Sequence, residues 1–156
     1  MINLIKKNIL SGTFSFAVFS TLCALTLLTV LYHLDQNLNL NFMQSKAVEL
    51  SFEQFVSITL LGPFVETILL VFILFIIQLF FENNKLAFSI ALITFIILHS
   101  QEFWAWGIII APLFTCKILA FFFWQHDSTL KAFLAPFLVH YFHNTFSFMV
   151  FYWVWA

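Results

Sequence analysis

Residues 54–81 read QFVSITLLGPFVETILLVFILFIIQLFF, a run with no Lys, Arg or Asp and a single acid, Glu66. How this run is understood decides the fold. A helix needs roughly 20 mostly apolar residues to cross the hydrocarbon core of a bilayer, and this one is long enough. The whole chain agrees with a membrane reading. Of its 156 residues 63% are hydrophobic and 21% aromatic, and only 8% are charged, against about 25% charged in a soluble domain. Its mean hydropathy is +1.03. The expected fold is therefore an all-α integral membrane protein, short enough to form one compact bundle of about five transmembrane helices.

Working outward from that run, residues 8–34 supply a preceding apolar span free of Asp, Glu and Lys, with Lys6 and Lys7 before it. A cleaved signal peptide would have a shorter apolar stretch, about 7–15 residues, followed by a small-residue cleavage site. A retained anchor is the better fit. Residues 35–53, DQNLNLNFMQSKAVELSFE, form a polar loop with room for a short interfacial helix. This divides the chain into an N-terminal anchor and loop, 1–53, and a four-helix intramembrane core, 54–156.

Within that core, ENNK at 82–85 is a turn. The third span, 86–101, is too short at about 1.5 Å per residue for a straight crossing of ~30 Å. The fourth runs from Trp104 to Trp124, with a tryptophan at each end as in an interfacial belt. The fifth, 132–156, carries no formal charge.

All basic residues are lysines, and the net charge is −1, so no basic patch offers itself to nucleic acid. With Lys6, Lys7, Lys85 and Lys131 on one side and Lys46 on the other, the positive-inside rule puts the N-terminus in the cytoplasm. The Phe, Ile, Asn and Lys bias suggests an AT-rich coding sequence, so a multi-pass protein of a bacterial inner membrane is expected. Cys23 and Cys116 both lie in apolar stretches and read as small buried hydrophobes.

Strongly polar side chains are costly within a span and mark functional candidates. Glu66 sits near the middle of the second span, with Thr59, Gly62 and Pro63 on the same side. Small residues there admit a neighbouring helix. A carboxyl group so placed can accept and return a proton; the bland alternative is an acid hydrogen-bonded to a backbone carbonyl. The last helix carries PFLVHYFHNTF, residues 136–146. Taking His140 as zero, His143, Asn144 and Ser147 lie at about −60°, +40° and −20° around a helix of 3.6 residues per turn. They share one face, and it points inward. Interhelical hydrogen bonds would explain one such residue; a cluster favours a functional site. His99 closes the third span in FIILHSQEF.

These residues follow a pattern. The chain resembles the CPBP intramembrane proteases, the family of type II CAAX prenyl endopeptidases and bacteriocin-processing or Abi proteins. Their signatures are a proline followed by EExxxR, then FxxxH, then HxxxN, on successive helices. Here PFVET places Glu66 at the first acidic position, FIILH gives Phe95 and His99, and HYFHN gives His140 and Asn144. Thr67 stands in place of the second glutamate and Val71 in place of the arginine. The resemblance implies a glutamate-type endopeptidase that needs no cofactor and cuts a membrane-associated peptide or protein. In it, Glu66 activates water, His99 positions that water, and His140 and Asn144 form the oxyanion hole. Thr67, Phe95 and His143 fall in a supporting shell.

Two other classes compete. Glu66, His99, His140 and His143 are ligand types that zinc accepts, although the i, i+3 histidines differ from the i, i+4 pair of HExxH metalloproteases. A catalytically inactive scaffold or immunity protein of the same fold would account for Thr67 and Val71.

Overall fold

The computed structural model describes residues 8–38, 51–101 and 104–155, and among them there is no β-strand. The elements are α1 (Ile9–Leu38), α2 (Phe52–Val56), a π-helical turn (Ser57–Leu61), α3 (Gly62–Phe80), α4 (Asn84–His99), α5 (Trp104–Trp124) and α6 (Thr129–Trp155). α2, the π-turn and α3 form one continuous run. Three stretches are long and apolar enough to cross a membrane, Ile9–Asp35, Phe52–Phe80 and Trp104–Trp124. α4 is apolar but shorter, as its sequence predicts. α6 has 27 residues yet is not one of the three, because His140, His143 and Asn144 dilute its apolar centre. The expectation of five spans thus resolves into a helical bundle with three helices of spanning length and apolarity. Lys6, Lys7 and Lys46, on which the orientation rested, lie outside the described residues, as does most of the loop expected at 35–53.

Local chemistry sets the helix starts. Asn8 Oδ1 accepts from Leu10 N at 3.0 Å ahead of α1. Ser51 and Gln54 make a reciprocal capping box at α2. Asn83 caps α4 by accepting from the backbone N–H of Lys85 and Leu86. The ENNK segment is therefore a very short turn, and α4 begins inside it.

α1 is turned small side in, whereas α3, α4 and α5 bury large apolar side chains as well. α1 buries Thr13, Ala17, Ser20, Thr21 and Ala24, while Phe19, Leu22 and Val30 face out. α3 buries Thr67, Leu70, Leu74 and Ile77 and exposes Phe72, Phe75, Leu79 and Phe80. In water such an exterior would be a gross liability. Against lipid tails it costs nothing, and small residues at the contacts let backbones approach. α5 is the axis of the bundle. α1, α4 and α6 all pack on it, and it is buried along most of its length. α1 packs along α6 as well as α5, so the N-terminal helix is an integral wall of the bundle.

α4 and α5 meet through Ala87, Ala91 and Phe95 on one side and Ile110, Phe114, Ile118 and Phe121 on the other. Their closest approach is at Gly107. A Cβ there would lie 2.5 Å from the Ile96 carbonyl and would also collide with Ser100 Oγ, a hydroxyl bonded to Ile96 O at 2.8 Å. Neither neighbour is the loose end of a long side chain. Gly107→Ala is therefore expected to destabilise the bundle by about 1–3 kcal/mol, read as a lower unfolding midpoint of the purified protein in detergent, whereas Gly62→Ala, whose Cβ would meet only Ser57 O at 3.2 Å, is expected to cost less.

Candidate functional site

Four helices each deliver one polar side chain to the same point: Glu66 from α3, His99 from α4, Lys117 from α5 and His140 from α6. Glu66 Oε2 lies 3.8 Å from His99 Nε2, 3.8 Å from Lys117 Nζ and 3.7 Å from His140 Nδ1. Burial is graded across the cluster. The Glu66 and His99 side chains are 33% and 24% exposed, His140 is 5% exposed and Lys117 is fully enclosed. Glu66 sits at the rim of the buried face of α3, so its carboxylate spans the boundary. Oε2 points into the cluster, is itself buried, and accepts no hydrogen bond there.

Helix geometry explains how residues of different depth meet. Side chains lean toward the N-terminus of their own helix, and α4 and α5 are antiparallel neighbours joined by a short connection. The His99 ring reaches back to Phe95 O, 2.9 Å from Nδ1, and the Lys117 ammonium folds back over the Phe114 ring, 4.5 Å from its centroid. The two side chains therefore converge. Phe114 stacks on Phe95, with centroids 4.3 Å apart, and its ring also lies 5.0 Å from that of His99. These aromatic rings are the floor of the site.

The hydrogen-bond partners assign both tautomers. A carbonyl only accepts, so His99 Nδ1 carries the proton and its Nε2 faces Glu66. Lys117 Nζ is 2.9 Å from His140 Nδ1, and an ammonium only donates. With Lys117 charged, His140 accepts at Nδ1 and carries its proton on Nε2. The two imidazoles thus have different neighbours at Nδ1, a carbonyl for His99 and a lysine for His140. Lys117 is thus satisfied by an imidazole lone pair, an aromatic face and a carboxylate, the kind of pairing a buried charge requires.

The structure brings together Glu66, His99 and His140 of the residues expected from sequence, with Phe95 packed beneath them. It directs His143 and Asn144 elsewhere. His143 Nδ1 lies 2.9 Å from Ser20 Oγ and 3.2 Å from Thr21 Oγ1. Both hydroxyls already donate to Ala17 O, so His143 is the donor, and it ties α6 to α1. Asn144 Nδ2 donates to Ile58 O at 2.8 Å. That carbonyl is free for a local reason. The Gly62 N–H, which would close an α-turn on it, bonds Ser57 O in the π-turn, and the next residue, Pro63, has no N–H to give. In hydrocarbon an orphaned carbonyl is costly, and Asn144 satisfies it. Thr67 is buried on α3, its hydroxyl without a hydrogen-bond partner.

Among the described residues no group of three or more His, Cys, Asp and Glu side chains is placed to hold a metal ion; His140 Nδ1 meets Lys117 and His143 is turned toward α1. Lys117 is the residue that sequence reasoning passed over. The signal was present, because a lysine near the middle of the apolar run Trp104–Trp124 is as anomalous as Glu66 in its own span.

The chain matches no protein-family model, no curated protein and no solved structure. Fold and site together describe an all-helical protein of membrane character with a partly buried Glu–His–Lys–His cluster.

The Asn144 bond has a testable consequence. Asn144→Ala is expected to lower stability by about 1–2 kcal/mol, the cost of leaving a polar group unsatisfied. The penalty should shrink when Pro63→Ala restores a backbone N–H at position 63. A double-mutant cycle of unfolding midpoints measures the coupling; additive penalties would show that Asn144 and the broken helix ladder are unrelated.

Proposed function

We propose that the protein is an intramembrane endopeptidase of the glutamate type, acting on a peptide or protein segment within or at the membrane. The observation that carries this reading is the convergence of the three spaced motifs. Glu66 of PFVET, His99 of FIILH and His140 of HYFHN lie on three helices, yet both histidines come within 3.8 Å of one carboxylate oxygen. The resemblance to the CPBP proteases orders the same residues in the same way. The departures at Thr67 and Val71 are offset here by Lys117, a cation 3.8 Å from Glu66.

In this mechanism a water molecule donates one hydrogen to Glu66 Oε2, and His99, whose Nε2 faces the same oxygen at 3.8 Å, orients that water. Glu66 takes the proton as the water oxygen bonds to the peptide carbonyl carbon. His140 donates from Nε2–H to the oxygen that gains negative charge, in a pocket that excludes bulk water. Glu66 then returns the proton to the departing amine as the C–N bond breaks. Partial exposure at Glu66 and His99 supplies the approach for substrate and water. Asn144, the other expected oxyanion donor, instead holds the π-turn that precedes α3.

The test is cleavage of candidate membrane-anchored peptides co-expressed with the protein, followed by mass spectrometry. Glu66→Gln is expected to abolish cleavage in a protein that still folds, since the amide keeps the shape but is no base, with a lowered unfolding midpoint because the enclosed Lys117 loses its negative neighbour. His140→Ala is expected to lower turnover by about 10²–10³-fold. Full activity in Glu66→Gln would end the assignment of the base.

Metal content separates the competing protease chemistry. Active purified protein is expected to carry no stoichiometric zinc and to survive chelation. About one equivalent of zinc, with activity lost on removal and regained on return, favours the metalloprotease. The second reading, an inactive scaffold or immunity protein, is favoured by the engagement of Asn144 with Ile58 and by the altered first motif. It predicts no cleavage of any candidate and no phenotype from Glu66→Gln.

A further inference from the structure

The role of Lys117 follows from its position in the cluster. It is fully enclosed, sits on the central helix, and spends one hydrogen on His140 Nδ1 at 2.9 Å. An enclosed ammonium is not placed to touch a peptide. It is placed to determine what His140 can do. Without it, neither ring nitrogen of His140 has a fixed role, and the ring can carry its proton on either one. With the lysine charged beside it, Nδ1 accepts and the N–H is confined to Nε2. The lysine also brings positive charge within 3.8 Å of Glu66 Oε2, the oxygen with no hydrogen-bond donor of its own.

We propose that Lys117 is a positioning residue of the site: it locks His140 in the Nε2–H tautomer that donates to the reacting carbonyl oxygen, and couples that donor to the Glu66 carboxylate. The inference rests on the endopeptidase reading for its catalytic consequence, but not for the hydrogen bond itself. A purely structural ion pair makes a different prediction. Replacing one member of such a pair would change stability and leave the His140 proton where it is.

The distance pattern favours coupling. The Lys117–His140 contact is a short hydrogen bond, whereas all three nitrogens stand 3.7–3.8 Å from Glu66 Oε2. The lysine is committed to the imidazole first and to the carboxylate only through space. Phe114, beneath both the ammonium and the His99 ring, holds Lys117 from the far side and leaves it no other acceptor among the described neighbours.

The experiment is nitrogen NMR on protein labelled with 15N at histidine and lysine and reconstituted in phosphatidylcholine–phosphatidylglycerol bilayers, with His140 identified by the signals missing in His140→Gln. The expected wild-type result is a single tautomer with unprotonated Nδ1 in contact with Lys117 Nζ. A proton on Nδ1 in the wild type overturns the proposal, whether or not any variant folds. In Lys117→Met, which keeps length and removes charge, the His140 proton is expected to distribute over both nitrogens. With a cleaved peptide, kcat should fall by about 10²-fold or more, as when a catalytic histidine loses its tautomer, and KM should stay within about twofold. A folded Lys117→Met protein with unchanged tautomer and unchanged kcat refutes the inference. If the tautomer moves but the wild type cleaves no peptide, the endopeptidase reading fails while the Lys117–His140 coupling stands.

Discussion

The constraint on which the rest depends is the enclosure of a lysine ammonium on the central helix. Lys117 has no exposure at all, and an isolated charge cannot be kept in such a place. Its neighbours must therefore supply a lone pair, a π-face and a negative charge, and they do so from three different helices. His140 of α6 accepts its hydrogen, Phe114 one turn back on α5 lies under it, and Glu66 of α3 faces it. Satisfying that one cation fixes how α3 and α6 stand against α5. His99 is added by the reach of its side chain back along α4.

The same accounting governs the backbone. Pro63 interrupts the helix ladder of the second run and the π-turn takes up the break, leaving Ile58 O without a main-chain donor. A side chain from α6 closes the gap. Asn144 and His140 thus meet the same run about two turns apart, one at the backbone before α3 and one at Glu66. His143 between them holds α1 through Ser20 and Thr21. The polar face of α6 serves three neighbours at once, which is why a helix so interrupted by polar residues packs into the bundle.

Chemically, the cluster is asymmetric in a useful way. One imidazole gives its Nδ1–H to a carbonyl and turns Nε2 toward Glu66, whereas the other meets a lysine at Nδ1. Burial is graded from Glu66 to Lys117, with the Glu66 and His99 side chains partly exposed and the lysine enclosed.

Much was legible from sequence. Apolar run length located the helical segments within a few residues, since a bilayer imposes a length and the caps at Asn83 and Ser51 are local. Motif spacing singled out Glu66, His99 and His140, because a polar group in hydrocarbon is anomalous wherever it falls. The missing N–H of Pro63 was also local information. What the tertiary structure alone decided was partnership. His140 and His143 share a face of α6, but that face meets both α5 and α1, so neighbouring histidines serve different helices. Asn144 shares the face of His140 and still binds a backbone carbonyl, because the helix it meets has a broken ladder at that level. Lys117 could have been noted as an anomaly in its span, but its role could not, since an ammonium has no role until the lone pair and carboxylate around it are known. Periodicity within one helix reports which way a side chain points; only the packing of several helices determines what it meets there.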